Sequence, residues 1–372
     1  MMYPRTDHDL TTGTDELAGV LATDGSRIPH PQLDAWLTDV DVPMLRMLHR
    51  DMTIVRRLDA EGIALQRQGQ LGLWAPCRGQ EAAQVGTAHA LRTGDFPFTS
   101  YREAGVLFVR GARPDEFIPN WRGEAHSGYD PYRIGVATPQ IIIGAQTLHA
   151  VGYAMGIQRD GVDDIAVAYF GDGATSQGDA NEAMVFAASF EAPVVFVCTN
   201  NQWAISEPVG VQSRFPLADR APGFGIPSLR FDGNDVLASL AAMRWAADHA
   251  RSGAGPAYLE AVTYRMGPHT TSDDPSRYRD AAEVEHWEAR DPIARLEALL
   301  RAEGGWDDEF AADEKAAADE FCAGMRAACL AAADRDPLSV FDHVYAEPHA
   351  GLDQERADYA GYLAGFAPEE ES

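Results

Sequence analysis

Two short motifs, each placed directly after a run of apolar residues, constrain the fold of this chain more than any other feature of its sequence. The run 165–170 leads into Gly-Asp-Gly at 171–173, and the run 194–198 leads into Asn-Asn at 200–201. Between them, the segment 181–190 carries its apolar residues at helical spacing. The pattern predicts a strand–helix–strand unit with both motifs at the carboxyl ends of neighbouring parallel strands, where open α/β sheets bind their ligands.

The residue types of these motifs indicate what kind of ligand would bind. Gly171 and Gly173 allow the backbone to come close to a diphosphate group. Asp172 and Asn201 offer side-chain oxygens, which are the ligands that Mg²⁺ prefers. A backbone carbonyl just after Asn201, together with the diphosphate and water, would complete the metal's coordination shell. The alternative interpretation is that both motifs are tight loops that close an ordinary doubly wound sheet.

Composition and charge exclude several classes of protein. The chain has 372 residues, of which 45% are hydrophobic, and its formal net charge of −27 argues against nucleic acid as a partner. No apolar run approaches the length of a membrane span, and residues 1–5 show no signal-peptide pattern, so we expect a cytoplasmic protein without a membrane partner. The four cysteines show neither CxxC nor zinc-type spacing.

The chain is predicted to be organised around one domain. Residues 1–40 lack clear periodicity and are predicted to form a loosely ordered arm. Residues 41–345 are predicted to form an α/β domain with a doubly wound, mainly parallel sheet and helical extensions at both ends. Residues 346–372 are predicted to form an acidic tail.

Local patterns refine this organisation. Residues 98–102 are predicted to be a loop that enters a helix at 103–110. A second strand–helix–strand unit is predicted further along the chain, and either Asn234 or Asp235 can cap its helix. The chain beyond residue 307 is rich in alanine and acidic residues and is predicted to be largely helical.

Seven motifs between residues 40 and 345 together resemble a known family. They are GQEAAQVG at 79–86, YREAGVLFVRG at 101–111, PQIIIGAQ at 139–146, GDGATSQGD at 171–179, NNQWAIS at 200–206, VTYRMGPHTTSDDPSRYR at 262–279 and DPI at 291–293. The chain resembles the alpha subunit of the thiamine diphosphate-dependent 2-oxo acid dehydrogenase component, the decarboxylating member of the pyruvate and branched-chain 2-oxo acid dehydrogenase complexes. The resemblance implies the thiamine diphosphate-binding fold and both thiamine diphosphate and Mg²⁺ as cofactors.

The resemblance also implies which residues hold the metal and the diphosphate. Asp172 and Asn201 would coordinate Mg²⁺ through their side chains, and Trp203 through its carbonyl oxygen. Relatives often have tyrosine in place of Trp203, but the change leaves the main chain in place. The implied diphosphate contacts are Gly173, Ala174, Tyr101 and Arg102. An arginine suits this role because its guanidinium matches the geometry of phosphate oxygens.

Three further residues are implied by the same resemblance. Ile141 and Ile143 would offer backbone groups to the aminopyrimidine ring of the cofactor, with their side chains packed against it; the alternative is that these isoleucines are buried core. His269 would lie over the diphosphate and assist acyl transfer to lipoyl, and an imidazole of near-neutral pKa suits that task. Ala145 stands where some relatives use a threonine for potassium, so no potassium site is predicted.

The resemblance implies partners as well as residues. The family uses a glutamate of a beta subunit to protonate the aminopyrimidine ring, so an α₂β₂ heterotetramer is expected, and this chain alone is expected to have little activity. A lipoyl-bearing acyltransferase would receive the acyl group that remains after a 2-oxo acid loses carbon dioxide. The expected enzyme is therefore an oxidoreductase that acts on the oxo group of a small 2-oxo acid.

The sequence favours branched-chain 2-oxo acids among three possible substrates. The strings at 231–236, 269–274 and 121–128 look more like branched-chain members, whereas PQIIIGAQ at 139–146 looks more like bacterial pyruvate members. Pyruvate is therefore the second candidate and acetoin the third. A hypothesis of another class is a non-catalytic scaffold paralogue that binds the cofactor and assembles with a beta subunit. Intact Asp172 and His269 argue against it.

Overall fold

The computed structural model describes residues 17–333 and 335–366. The chain forms two compact units that divide between Cys329 and Leu330. Part of the predicted arm (1–16) and part of the predicted acidic tail (367–372) lie outside the described residues. The domain boundaries at 40 and 345 stay predictions.

A five-stranded sheet forms the centre of the first unit. The strands of this sheet and of a small two-stranded ribbon are β1 (Phe96–Phe98), β2 (Ala166–Gly171), β3 (Val194–Asn200), β4 (Trp203–Ala204), β5 (Glu207–Pro208), β6 (Ser228–Asp232) and β7 (Ala257–Val262). The helices are α1 (Val42–Arg67), α2 (Glu81–His89), α3 (Ala104–Val109), α4 (Ile118–Arg122), α5 (Pro131–Ile134), α6 (Ala145–Asp160), α7 (Gly178–Ser189), α8 (Val209–Gln212), α9 (Val236–His249), α10 (Ala281–Glu288), α11 (Pro292–Ala302), α12 (Asp308–Ala331) and α13 (Ala350–Ala364).

The main sheet has the strand order β1-β2-β3-β7-β6, and every neighbouring pair is parallel. Alternate residues of the central strands point to opposite faces. Val167 and Val195 pack with helices α1, α2 and α9 on one face, while Ala168 and Phe196 pack with α6 and α7 on the other. Helices therefore cover both faces, which confirms the predicted doubly wound, mainly parallel α/β fold.

The edge strand β1 differs from the sequence prediction, which treats residues 98–102 as a loop. Phe98 is the last residue of β1 and pairs with Ala168 of β2. The strand is three residues long and contains Pro97, which is tolerated at the edge of a sheet; on the side away from β2 its carbonyl accepts from the Ala137 N–H at 2.9 Å. Such a short run carries too little periodic signal to be recognised in the sequence.

The described part of the predicted N-terminal arm is not loosely ordered. Ala18 forms a parallel bridge with Phe231 at the edge of the sheet, and Val20 and Leu33 are buried. The backbone N–H groups of Val20 and Leu21 both donate to the carboxylate of Asp235, each at 2.7 Å. We call residues 17–40 the N-terminal strap. Its order comes from contacts with residues more than 200 positions away, which local periodicity does not reveal.

The second unit contains a short 3₁₀ turn at Pro337–Phe341 and helix α13. The Phe341 and Tyr359 rings lie 6.0 Å apart and connect these two elements. Helix α13 falls in the predicted acidic tail, consistent with the expectation that this part of the chain is largely helical. None of the helices in the described parts of the chain combines the length and apolar character of a membrane-spanning segment.

Candidate functional site

Both motifs of the sequence lie at one edge of the sheet. Asp172 directly follows β2 and Asn201 directly follows β3, and Gly171 at the end of β2 is opposite Thr199. Because the two strands are parallel neighbours, the structure brings Asp172 and Asn201 together as expected from the sequence. Both side chains are buried, with exposed fractions of 1% and 5%.

Asp172 is a buried carboxylate, and none of the described Lys, Arg or His side chains forms an ion pair with it. Its Oδ2 atom accepts a hydrogen bond from Gln212 Nε2 at 3.1 Å. Burial raises the pKa of Asp172 to about 6, although the bond from Gln212 and the backbone of Asn201 act in the opposite direction. Because burial makes the charged carboxylate unfavourable, a cation bound beside it would stabilise that charge.

The amide of Asn201 is held at both ends. Its Nδ2 donates to Gln80 Oε1 at 3.2 Å, and its Oδ1 accepts from the backbone N–H of Trp203 at 3.2 Å. Gln202, between Asn201 and Trp203, has a φ of +72°, in the left-handed region that is uncommon for residues other than glycine. The side chain of Asn200 stabilises this turn by accepting from the Gln202 backbone N–H at 3.2 Å.

The carbonyl of Trp203 faces a buried arginine that the sequence interpretation did not single out. Arg265 is fully buried and donates through Nη1 to the Trp203 carbonyl at 3.0 Å. Its Nη2 donates to the Ile205 carbonyl and to the hydroxyl of Tyr278. Burial and the neighbouring Arg102 lower the pKa of Arg265 to about 10, because the charged form is poorly solvated there.

Gly173 lies against the ribbon that carries Trp203. A Cβ atom added at Gly173 would lie 2.9 Å from the Cβ of Ala204, so the close approach of these two backbones requires glycine. Ala174 follows it in a short 3₁₀ turn and is buried in the core on the α6 and α7 side of the sheet. The first backbone N–H groups of such a turn have no hydrogen-bond partner within the turn itself.

Arg102 and His269 lie side by side, although 167 positions separate them in the chain. Nη2 of Arg102 donates to the carbonyl oxygen of His269 at 3.0 Å and to its ring Nδ1 at 3.1 Å. Nη1 of Arg102 donates to the carbonyl of Pro76 at 2.5 Å. The Tyr101 ring meets the His269 ring edge-on, with centroids 6.2 Å apart. Three residues of the sequence prediction therefore form one cluster.

The charge state of His269 differs from the expectation of a near-neutral pKa. Burial and the guanidinium groups of Arg102 and Arg265 lower the pKa of His269 to about 4. The imidazole is therefore neutral at physiological pH. Because Nδ1 accepts from Arg102, the ring proton resides on Nε2, which leaves an N–H donor on the opposite side of the ring.

Positive charge is concentrated here without direct compensation. Within residues 17–333 and 335–366, no carboxylate oxygen lies within 4.0 Å of the guanidinium nitrogens of Arg102, Arg265 or Arg279. Arg279 donates instead to the carbonyls of residues 265, 266 and 267. Three guanidinium groups in a chain of net charge −27 indicate a site for an anion.

The isoleucines of the PQIIIGAQ motif are not buried core, so that alternative is wrong. Ile141 is 62% exposed and Ile143 is 38% exposed. Both lie in the turn that precedes α6, which begins after Gly144 with its φ of +90°. Exposed apolar side chains at the entrance of a helix are available to a ligand or to another protein chain.

The site depends on residues that the sequence interpretation missed. Gln80 and Gln212 bond the two predicted metal ligands, and Arg265 bonds the third predicted ligand through its carbonyl. Gln80 and Arg265 belong to motifs that were recognised, GQEAAQVG and VTYRMGPH. For Arg265 the available signal was an arginine between the apolar residues Tyr264 and Met266, because such a side chain is buried only when it has partners. The neighbours of Gln80, Gly79 and Glu81, carry no such signal.

Comparison with known proteins shows which family the chain is similar to. The model of the family described as "Dehydrogenase E1 component" matches residues 49–336. The 3-methyl-2-oxobutanoate dehydrogenase subunit alpha of Mycobacterium tuberculosis is 48% identical over 327 residues, covering 88% of this chain and 89% of the relative.

Two pyruvate dehydrogenase E1 component alpha subunits are similar at lower identity. The protein of Acholeplasma laidlawii is 38% identical over 327 residues, covering 86% of this chain and 94% of the relative. The protein of Staphylococcus aureus strain Mu50 is 40% identical over 283 residues, covering 75% and 76%. The chain therefore belongs to the dehydrogenase E1 component family, the thiamine diphosphate-dependent oxidoreductases of the 2-oxo acid dehydrogenase complexes.

Proposed function

We propose that this chain is the alpha subunit of a branched-chain 2-oxo acid dehydrogenase that works with thiamine diphosphate and Mg²⁺. The observation that carries the proposal is the cluster of uncompensated guanidinium groups beside the buried pair Asp172 and Asn201. Together they offer cationic groups for a diphosphate and oxygen ligands for the metal that accompanies it.

The residues at the strand ends fit a magnesium ion. Asp172, Asn201 and the Trp203 carbonyl supply a carboxylate, an amide and a peptide oxygen, and the carbonyl can accept from Arg265 and still offer a lone pair. In the described chain, no group of three or more histidine, cysteine or acidic side chains is suited to a metal. The ion would therefore take its remaining oxygen ligands from the diphosphate and water.

The surrounding cations and backbone fit the diphosphate. Arg102 and Tyr101 would bind its oxygens from one side, and the turn at Gly173 and Ala174 would offer backbone N–H groups from the other. Ile141 and Ile143 would hold the aminopyrimidine ring through their backbone groups and contact it with their exposed side chains. Binding would supply Arg102 and Arg265 with the counter-charge that they lack.

Thiamine diphosphate, when bound, supplies the carbon nucleophile that adds to the keto group and allows carbon dioxide to leave. The task of this chain is to hold the cofactor and to place His269 at the reacting groups. The neutral imidazole would present its Nε2–H to the oxygen of the acyl group, donating a hydrogen bond as negative charge develops there. Arg102 keeps the ring in that tautomer.

Branched-chain substrates are favoured by the comparisons. The relative that acts on 3-methyl-2-oxobutanoate shares 48% of its aligned residues with this chain, against 38% and 40% for the two pyruvate dehydrogenase relatives. Pyruvate is the second candidate on the same grounds, since pocket differences of one or two methylene groups change specificity by only about 1–3 kcal/mol.

The proposal includes a beta subunit and a lipoyl-bearing acyltransferase. The relatives are named as alpha subunits, and the acyl group formed in such a site needs an acceptor. The four cysteines are unpaired, which suits the reducing cytoplasm that we propose as the location.

The test is decarboxylation by the co-expressed alpha and beta chains with thiamine diphosphate, Mg²⁺ and an artificial electron acceptor. We expect a higher kcat/KM for 3-methyl-2-oxobutanoate than for pyruvate or acetoin. A higher kcat/KM for pyruvate or acetoin would overturn the substrate assignment but would leave the assignment of the site residues unchanged. An Asp172→Ala variant should lose metal-dependent cofactor binding and turnover together. A wild-type complex that binds the cofactor but turns over none of these substrates would favour the scaffold hypothesis.

A further inference from the structure

We propose that Gln80 is a positioning residue that fixes which end of the Asn201 amide meets the metal. The inference rests on the proposed function, because it takes Asn201 as a metal ligand. Gln80 is 1% exposed and directly precedes α2, whereas Asn201 follows β3, 121 positions later. The two side chains are brought together by the fold alone.

An asparagine can offer a cation either its oxygen or its NH₂ group, and only the oxygen binds. The Nδ2 of Asn201 donates to Gln80 Oε1 at 3.2 Å, so the NH₂ group is already committed. Flipping the Asn201 amide would instead place two oxygen acceptors, Oδ1 of Asn201 and Oε1 of Gln80, against each other, and its NH₂ group against the Trp203 N–H. Gln80 and the Trp203 N–H therefore select the same orientation, in which the Asn201 oxygen is on the side away from Gln80.

Gln80 can impose this orientation because its own backbone is held rigidly. Its N–H donates to the Cys77 carbonyl at 3.0 Å. The preceding Gly79 has a φ of +96°, and a Cβ atom there would lie 2.3 Å from the Tyr264 carbonyl oxygen. Thr263 Oγ1 donates to the Gly79 carbonyl at 2.5 Å, and Glu81 accepts from the Gly79 N–H at 2.9 Å.

The Nε2 atom of Gln80 adds a second, independent observation. It is buried, and in the described parts of the chain it has no hydrogen-bond partner. A buried donor is unfavourable unless an acceptor is supplied. We assign that acceptor to an oxygen of the bound metal–diphosphate complex, so that one glutamine orients a metal ligand through Oε1 and bonds the incoming group through Nε2.

Two substitutions separate these roles. Gln80→Met has a similar shape but neither polar atom, while Gln80→Glu keeps an oxygen that can accept from Asn201 Nδ2 and lacks the N–H donor. The measurement is binding of Mn²⁺, as a paramagnetic substitute for Mg²⁺, to the alpha–beta complex at saturating thiamine diphosphate, by electron paramagnetic resonance. Steady-state kcat and the KM for thiamine diphosphate are measured at saturating metal.

We expect Gln80→Met to raise the Kd for Mn²⁺ by roughly 10-fold or more, as for other residues that orient metal ligands. Its KM for thiamine diphosphate should rise as well, because the Nε2 donor is also lost. Gln80→Glu should restore the Mn²⁺ affinity while raising the KM for thiamine diphosphate. If Gln80→Glu binds Mn²⁺ as weakly as Gln80→Met, or if Gln80→Met binds as tightly as wild type, the orienting role is wrong.

Gln146→Met is the matched control. Gln146 is also 1% exposed and donates to the Tyr169 carbonyl at 2.9 Å, away from Asn201. We expect a comparable fall in the thermal unfolding midpoint for the two Met variants and an unchanged Mn²⁺ affinity for Gln146→Met. Equal losses of Mn²⁺ affinity would mean that Gln80 acts through stability alone. A wild-type complex that binds no Mn²⁺ with thiamine diphosphate would instead contradict the proposed function itself.

Discussion

Asp172 and His269 have charge states at physiological pH that are set by their surroundings. Burial raises the pKa of Asp172 to about 6, and burial with two guanidinium groups lowers the pKa of His269 to about 4. Both shifts arise because the ligand-free site solvates charge poorly. A bound cation would favour the ionised form of Asp172, whereas the neutral His269 keeps an N–H donor without adding positive charge.

The raised pKa of Asp172 predicts that this residue destabilises the ligand-free fold at neutral pH. The pKa of Asp172 is about 6 in the folded chain, above its ordinary value of 3.8, so the folded chain favours the protonated carboxyl group. As the pH rises through 6 this proton dissociates, and the buried charge that remains lowers the free energy of unfolding. Asp172→Asn should therefore stabilise the ligand-free chain at pH 7.5 by roughly 1–3 kcal/mol and have little effect near pH 4.

Thermal unfolding of both proteins in the presence of a chelator, near pH 4 and at pH 7.5, measures this difference. Asparagine keeps an oxygen that can accept from Gln212, so the comparison isolates the charge. The same variant should lose metal-dependent cofactor binding. Residues that bind a ligand often lower the stability of the ligand-free protein, so replacing them commonly raises stability and removes function. A destabilised variant at pH 7.5 would contradict the prediction.

At the scale of elements, Asp235 connects a helix to the N-terminal strap. Its Oδ1 accepts from the N–H groups of Leu237 and Ala238 in the first turn of α9, at 2.9 and 3.0 Å. Its Oδ2 accepts from Val20 and Leu21 of the strap. The sequence left Asn234 and Asp235 open as caps, and the structure assigns the cap to Asp235. One buried carboxylate thus serves two elements from distant parts of the chain.

Asp235→Ala should cost roughly 3–5 kcal/mol in the free energy of unfolding, because four buried N–H groups lose their acceptor. Urea titration of the chain, followed by circular dichroism, measures the loss. Asp41→Ala is the control, since Asp41 caps α1 at an exposed position through a single bond to Met44. It should cost only about 1 kcal/mol. Equal losses for the two variants would show that the strap contacts add nothing.

At the scale of the whole molecule, the first unit leaves large apolar side chains exposed near the edge of the sheet that carries the site. Those beside the motifs, with exposed fractions of 57% or more, are Ile141, Ile142, Ile205 and Phe215 on loops and Val211 in the short helix α8. Toward the start of β3, and so at the opposite edge of the sheet, Phe186 of α7 and Phe190 just after it are each 49% exposed and stack on one another, with centroids 6.1 Å apart. Exposed apolar groups of this size are typical of surfaces that another protein chain covers.

We therefore predict that the chain needs its beta subunit both to fold into a monodisperse particle and to turn over substrate. Purified alone, it should show little decarboxylation and a tendency to self-associate. Co-expressed with the beta chain, it should form an α₂β₂ assembly, with both properties measured by light scattering coupled to size exclusion and by the decarboxylation assay. Robust turnover by the single chain would contradict this.

The features that depend on local pattern could be predicted from the sequence alone. The apolar runs before Gly171 and Asn200 indicated β2 and β3, and helical spacing indicated α7 between them. Periodicity reveals such elements because a side chain's position along a strand or helix fixes the face it occupies. Because parallel strands end at a common edge, the same pattern also placed Asp172 beside Asn201.

How those residues are held and charged depends on contacts made in the folded chain. The bond of Gln80 to Asn201 and the contact of Arg102 with His269 join positions 121 and 167 residues apart. The pKa of His269 depends on burial and on the guanidinium groups of Arg265 in its own loop and of Arg102, 167 positions away. Strand β1 is defined by its pairing with β2, since its three residues carry no period of their own. Such properties depend on the distances between side chains in the folded chain and on the loss of water around them. The spacing of residues along the sequence predicts neither of these.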